Sequence, residues 1–256
     1  MLKPSLILSV GMPRAGSGWY YNLTHDLILA AGGQDGRAIR QTYHLERLLT
    51  EVNCNIGTLS FYRLLPVMLP VMMGNTYVVK LHAGPRLLAN LFIRRGWITP
   101  TYIYRDPRDA LLSAYEYGQR KREHGRGGAF SQLTSIDKAI DFMADYVRIS
   151  EAWLTCPQAL HVRYEDLLTE YDAEAQRLLD FLGIAAETPG VQSVIDQYRP
   201  SRGSAEQRGT HFVKGKIGRH RQAFSEEQLA RCEREFGDYL RRMNYPLVSV
   251  QREVSF

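Results

Sequence analysis

The chain has 256 residues, 45% hydrophobic and 23% charged, the balance of an ordinary folded protein rather than a disordered or fibrous one. Its formal net charge of +5 suits anionic partners, but the basic residues are dispersed and show no interleaved basic and aromatic stripe, which argues against nucleic acid. Cys54, Cys156 and Cys232 stand far apart without metal-ligand spacing, so the expectation is reduced thiols, no metal and a cytoplasmic setting.

In chain order, residues 6–10 form an apolar run closed by Gly11, which predicts a buried strand. Ahead of it no leader peptide is visible. Residues 19–31 have helical periodicity and stop at Gly32-Gly33. The most apolar stretch, 64–73, holds two prolines and is too short to span a bilayer. Residues 76–81 and 101–105 are β-branched and aromatic runs that suit strands. Pro107 opens a helix through Tyr117, an amphipathic helix follows at 139–154, then a strand at 159–163 and a helix at 173–182. Strands alternating with helices predict an α/β fold: one domain over residues 1–256, in three layers, with a central parallel β-sheet flanked by helices. Two glycine- and charge-rich segments, 118–135 and 199–221, are expected to be mobile loops.

The strongest local signal lies between the first strand and the first helix: Gly11-Met12-Pro13-Arg14-Ala15-Gly16-Ser17-Gly18-Trp19. Glycines there let backbone N–H groups turn toward an anion, and the helix N-terminus adds partial positive charge. The glycine spacing is that of a P-loop, but the Lys-Ser/Thr pair is replaced by Ser17-Gly18, and the cation stands earlier, at Arg14. The site is therefore P-loop-like without the hydroxyl that a P-loop presents to magnesium. A second segment has matching logic. Arg105 ends a strand, Asp106 can cap, Pro107 suits a first helical turn, and Ser113 returns to the face of Arg105 about two turns on.

Together these segments resemble the PAPS-dependent sulfotransferases. The stretch Pro13 to Trp19 is similar to that family's 5′-phosphosulfate loop, and Arg105 with Ser113 to its 3′-phosphate site. Lys80-Leu81-His82 resembles the Lys-x-His that supplies the catalytic base, and Arg163-Tyr164-Glu165-Asp166 the segment whose tyrosine approaches adenine. Lys214-Gly215-Lys216-Ile217-Gly218 followed by Phe224 resembles the loop that closes over the 3′-phosphate. The chain departs from the pattern at Ala15 and Gly18, which lack hydroxyls, at Val213 in place of arginine, and at His220 in place of tryptophan.

The resemblance implies transfer of the sulfuryl group of PAPS to a hydroxyl of a small-molecule acceptor (alcohol, phenol or sugar), giving PAP and a sulfate ester. It assigns His82, Lys80 and Arg14 to catalysis, with His82 as a base near its reference pKa of about 6.5. It assigns Arg14, Ala15, Gly16, Ser17, Gly18, Trp19, Arg105, Ser113, Tyr164, Lys214 and Gly215 to the donor, with Trp19 and Tyr164 at the adenine. Residues 61–73, rich in methionine and aromatics, could line an acceptor pocket or fill core, and the cations Arg120, Lys121, Arg122 and Arg126 could meet an anionic acceptor or solvent. The dimerisation motif of soluble relatives fits loosely at Arg221 and Phe224-Ser225, which leaves a homodimer open. The alternatives are a kinase-like P-loop protein, which would need magnesium and a lysine at Ser17, and a magnesium-independent nucleotide-binding module, which has no need of His82.

Overall fold

The structure, a computed structural model, describes residues 2–200 and 216–247. Its elements in chain order are β1 (Leu6–Gly11), α1 (Ser17–Ala30), α2 (Gly36–Thr42), α3 (Phe61–Met72), β2 (Tyr77–Leu81), α4 (Leu87–Arg94), β3 (Ile98–Tyr104), α5 (Pro107–Glu123), a 3-10 turn (Ala129–Gln132), α6 (Ile136–Leu154), β4 (Leu160–Arg163), α7 (Tyr164–Thr169), α8 (Tyr171–Leu182), α9 (Val191–Tyr198), α10 (His220–Ala223) and α11 (Glu226–Arg242). They fall into two compact units, the first comprising Met1–Gly11, Gly16–Tyr104 and Ala152–Gly215, the second Met12–Ala15, Arg105–Glu151 and Lys216–Phe256.

The first unit holds the sheet, four parallel strands in the order β2-β1-β3-β4. Every residue of β1 and β2 is buried, because both faces of a parallel sheet are covered and the strands become continuous apolar runs. Ile7, Val78 and Ile103 from the sheet join Tyr20, Leu23 and Leu27 of α1 and Leu178 and Leu179 of α8 in one core. Strand β3 begins earlier than expected, with Pro100 opposite Leu8 of β1. A proline is tolerated there because β4 pairs with β3 only from Thr101 onward. The chain passes from β1 to β2 on one side and returns to β3 on the other, so a topological switch point lies at the carboxyl ends of the strands, where open α/β sheets bind ligands.

Of residues 61–73, all but the C-capping Met73 form the amphipathic helix α3, despite Pro66 and Pro70. Leu64, Val67, Met68 and Val71 are core, whereas Phe61, Tyr62, Met72 and Met73 are exposed.

In the second unit, Asp106 caps α5 by accepting the Arg108 amide at 2.9 Å, with Pro107 in the first turn, as the sequence predicts. Arg108, fully buried, returns two hydrogen bonds to the same carboxylate at 3.0 and 2.7 Å and a third to Pro246 O at 2.9 Å, tying the C-terminal segment to α5. The expected loop at 118–135 is corrected: α5 continues to Glu123, the 3-10 turn follows, and α6 starts at Ile136. Gly118 marks close packing rather than a break, since a Cβ there would lie 2.0 Å from Phe130 O. Arg122 holds the same turn through Ser131 O and Leu133 O at 2.9 and 3.0 Å. Of the second expected loop, 199–221, only Arg199, Pro200 and residues 216–221 lie among the described residues.

Candidate active site

In the first unit the ends of β1, β2 and β4 deliver Gly11, His82 and Tyr164. Gly11 must be glycine, because a Cβ would meet Ile103 Cγ2 at 2.7 Å and Ser17 Cβ at 2.8 Å. Gly16 caps α1 at φ 77°, with the Tyr164 ring 2.6 Å from where its Cβ would stand. Positive φ and lack of space both demand glycine there. Helix α1 then starts with no side-chain cap and no acidic residue in its first turn, an arrangement whose positive dipole end favours an anion. Above Gly18 there is room for a Cβ, and the nearest atom is Lys80 Nζ at 4.0 Å. Lys80 itself is buried on β2, in register with Ser9 of β1.

His82 follows two residues later, half-buried. Its Nδ1 lies 2.6 Å from Gly11 O, and since a carbonyl can only accept, Nδ1 carries the proton and Nε2 keeps its lone pair. Burial, reinforced by the Lys80 charge, pulls the imidazole pKa down to about 4, against the value near 6.5 expected from sequence. The ring is therefore neutral at physiological pH, with a defined tautomer. Behind it, the fully buried Trp153 donates its indole N–H to Ala83 O at 2.9 Å and stacks on Tyr102 of β3, pinning the backbone next to His82.

Trp19 and Tyr164 are more enclosed than an open stacking platform. Trp19 is 3% exposed, stacks on Tyr171 at 6.0 Å, meets Tyr164 edge-on at 6.4 Å and donates its indole N–H to Tyr198 O at 2.9 Å. Tyr164 is 4% exposed.

The second unit collects cations. Arg14, at φ 65°, donates from Nε to Ser113 Oγ at 3.3 Å, and its guanidinium lies 4.6 Å from the Tyr117 ring centre. Burial, together with the charges of Arg120 and Arg105, lowers the Arg14 pKa to about 10. Arg105, almost fully buried, donates from Nη1 to Arg14 O at 3.3 Å and from Nη2 to Lys216 O at 3.2 Å. Arg14 thus contacts both Ser113 and Arg105, and Ala15 beside it is fully buried. Arg14 sits with Ser113, one of the expected 3′-phosphate ligands, although the motif assigns it to the other end of the donor. Lys214 and Gly215 lie outside the described residues.

Sequence reasoning missed Asp109, Tyr117 and Trp153. Asp109 is fully buried and accepts bonds from Gly218 and His220, which only the tertiary fold brings to it. Among the described residues no group of His, Cys, Asp and Glu could hold a metal ion, and no helix is long and apolar enough to cross a membrane.

The sulfotransferase-domain family profile matches residues 4–244. No curated protein sequence matches the chain. Among solved structures, a mouse sulfotransferase complexed with PAP superposes with a TM-score of 0.59 at 13% identity, over 93% of this chain and 85% of that one. Retinol dehydratase with androsterone and the inactive cofactor PAP gives 0.57 at 17%, over 94% and 82%. The same protein with retinol and PAP gives 0.56 at 16%, again over 94% and 82%. At these identities the superpositions speak for the fold, and the profile, spanning nearly the whole chain, speaks for the family. The chain belongs to the sulfotransferase family, the PAPS-dependent transferases of sulfuryl groups.

Proposed function

We propose that the enzyme transfers the sulfuryl group of PAPS to a hydroxyl of a small-molecule acceptor, with His82 as general base. The observation that carries this reading is the His82 tautomer. Its Nδ1–H is committed to Gly11 O at 2.6 Å, so the free lone pair sits on Nε2, two residues beyond Lys80 at the end of β2. In the proposed step Nε2 takes the acceptor's hydroxyl proton, the acceptor oxygen bonds to sulfur, and the bond from sulfur to the 5′-phosphate oxygen breaks. Lys80 and the N–H groups of Ser17, Gly18 and Trp19 would stabilise charge on the departing phosphate oxygen. A sulfuryl group carries less charge than a phosphoryl group, so side-chain cations can serve where phosphoryl transfer uses magnesium. Arg105 and Ser113 would take the 3′-phosphate, with Arg14 beside them, and Trp19 and Tyr164 would flank the adenine.

A small acceptor is supported by the Lys-x-His arrangement, and retinol dehydratase holds androsterone or retinol in its crystals. The unpaired Cys54, Cys156 and Cys232 support a cytoplasmic setting. The test is calorimetric binding of PAP, ADP and 5′-AMP without metal, followed by transfer assays with PAPS. Tight PAP binding with weak 5′-AMP binding is the expected result. A preference for ADP that appears only with magnesium would sink the reading and favour a kinase-like protein.

A further inference from the structure

Asp109, in the first turn of α5, lies four residues beyond Arg105 and is 1% exposed. Its Oδ2 accepts the Gly218 amide at 2.6 Å, and its Oδ1 accepts both the His220 amide at 3.0 Å and the imidazole Nδ1–H at 2.8 Å. His220 is equally buried. Gly218, at φ 75°, makes the left-handed turn that lets both amides converge on one carboxylate. Burial alone would raise the Asp109 pKa, but the His220 hydrogen bonds and the Arg105 charge win and bring it to about 2, so the group stays ionised.

The same carboxylate lies behind Arg105. Arg105 Nη2 is 3.8 Å from Asp109 Oδ2, too long for a good hydrogen bond, while that nitrogen donates to Lys216 O at 3.2 Å. Asp109 therefore accepts its hydrogen bonds from the backbone of the 216–220 segment and from His220, while its charge faces Arg105 at the longer distance. On the donor reading above, Arg105 is the cation that meets the 3′-phosphate, and both it and the 216–220 segment are braced by one side chain.

We propose that Asp109 and His220 are positioning residues that hold Arg105 and the 216–220 segment in register for a 3′-phosphate, and so set the preference for a 3′,5′-bisphosphorylated nucleotide over the 5′-monophosphate. This rests on the donor reading under the proposed function. On this proposal neither residue meets the nucleotide, since both are buried: Asp109 against the segment it holds, and His220 against Asp109 and Phe224, 6.3 Å away between ring centres.

The experiment is metal-free calorimetry with PAP and with 5′-AMP on the wild-type protein and on Asp109→Asn, His220→Leu and His220→Asn. Asparagine at 109 keeps the size but turns an amide NH₂ toward a backbone or ring N–H. The expected result is PAP binding weakened about tenfold or more in Asp109→Asn and His220→Leu, the loss of charge-assisted bonds expressed as affinity. Binding of 5′-AMP stays within about twofold, and kcat at saturating PAPS is largely kept, a split that a merely structural role would not produce. His220→Asn, which keeps a donor near the position of Nδ1, recovers most of the preference. If Asp109→Asn does not fold, the two His220 variants carry the comparison alone. Equal loss of PAP and 5′-AMP binding, or unchanged PAP binding, overturns the proposal. A wild-type protein that shows no preference for PAP instead overturns the donor reading on which it rests.

Discussion

The titration of His82 is the sharpest consequence of the geometry. An imidazole with the reference pKa of about 6.5 would be roughly 9% neutral at pH 5.5, whereas one at about 4 is roughly 97% neutral there. The base form is thus favoured about tenfold at pH 5.5, and the lone pair is lost only as pH falls through about 4. The sign also reaches stability. Between pH 6.5 and 4 the unfolded chain binds a proton at His82 that the folded chain does not, so this residue makes the fold less stable as pH falls through that window. The full shift corresponds to about 3 kcal/mol, and solvent screening of a half-buried ring brings the expected contribution to about 1–2 kcal/mol. The assay is an NMR titration of the imidazole Cε1–H in the free protein, with His82→Gln identifying the resonance. Lys80→Met, which removes the neighbouring charge, moves the midpoint upward. A wild-type midpoint between 6 and 7 would refute the argument that burial and Lys80 hold this base neutral. His82→Gln itself lowers kcat by about 10²–10⁴ with PAP affinity little changed, and a variant that kept the wild-type rate would remove His82 from catalysis.

Three further substitutions test the scaffold around the site. Gly16→Ala places a methyl 2.6 Å from the Tyr164 ring at φ 77° and should cost about 1–3 kcal/mol, read as a lower Tm, with weaker PAP binding. Gly118→Ala meets a backbone oxygen, Phe130 O, at 2.0 Å, so a comparable or larger destabilisation is expected, and an unchanged Tm would show that Gly118 is not needed for close packing. Trp153→Phe keeps a ring against Tyr102 but removes the hydrogen bond to Ala83 O; kcat should fall several-fold with PAP affinity unchanged, and equal losses in both would make Trp153 a core residue and nothing more.

What could be read from sequence was carried by short-range chemistry. The β1–α1 turn announces itself because positive φ at Gly16 and crowding at Gly11 can be met only by glycine. The start of α5 does so because a capping Asp106 and Pro107 in the first turn are local requirements. Helix α11 has an equally local signature, the capping box of Ser225 and Gln228 ahead of an amphipathic run. Gly118 misled for the opposite reason. Glycine in a charged stretch reads as a break, and nothing within the helix reveals that a carbonyl 12 positions on needs the space.

The site divides along the same line. His82, Lys80, Arg105 and Ser113 can be proposed from sequence because each sits at a strand end or a helical repeat that a motif can encode. The state of His82 was not, because its pKa depends on Gly11 O, 71 positions away, and on burial that no spacing expresses. Asp109 reads in sequence as one more acidic residue of a first helical turn, an ordinary response to the helix dipole. Only its bonds to Gly218 and His220, across 109 and 111 positions, separate it from that role. Motifs therefore name the groups that would touch the donor, because those groups must recur at fixed spacing. The groups that orient them are drawn from wherever the chain returns, and tertiary structure is the first level at which they can be told from ordinary capping and surface residues.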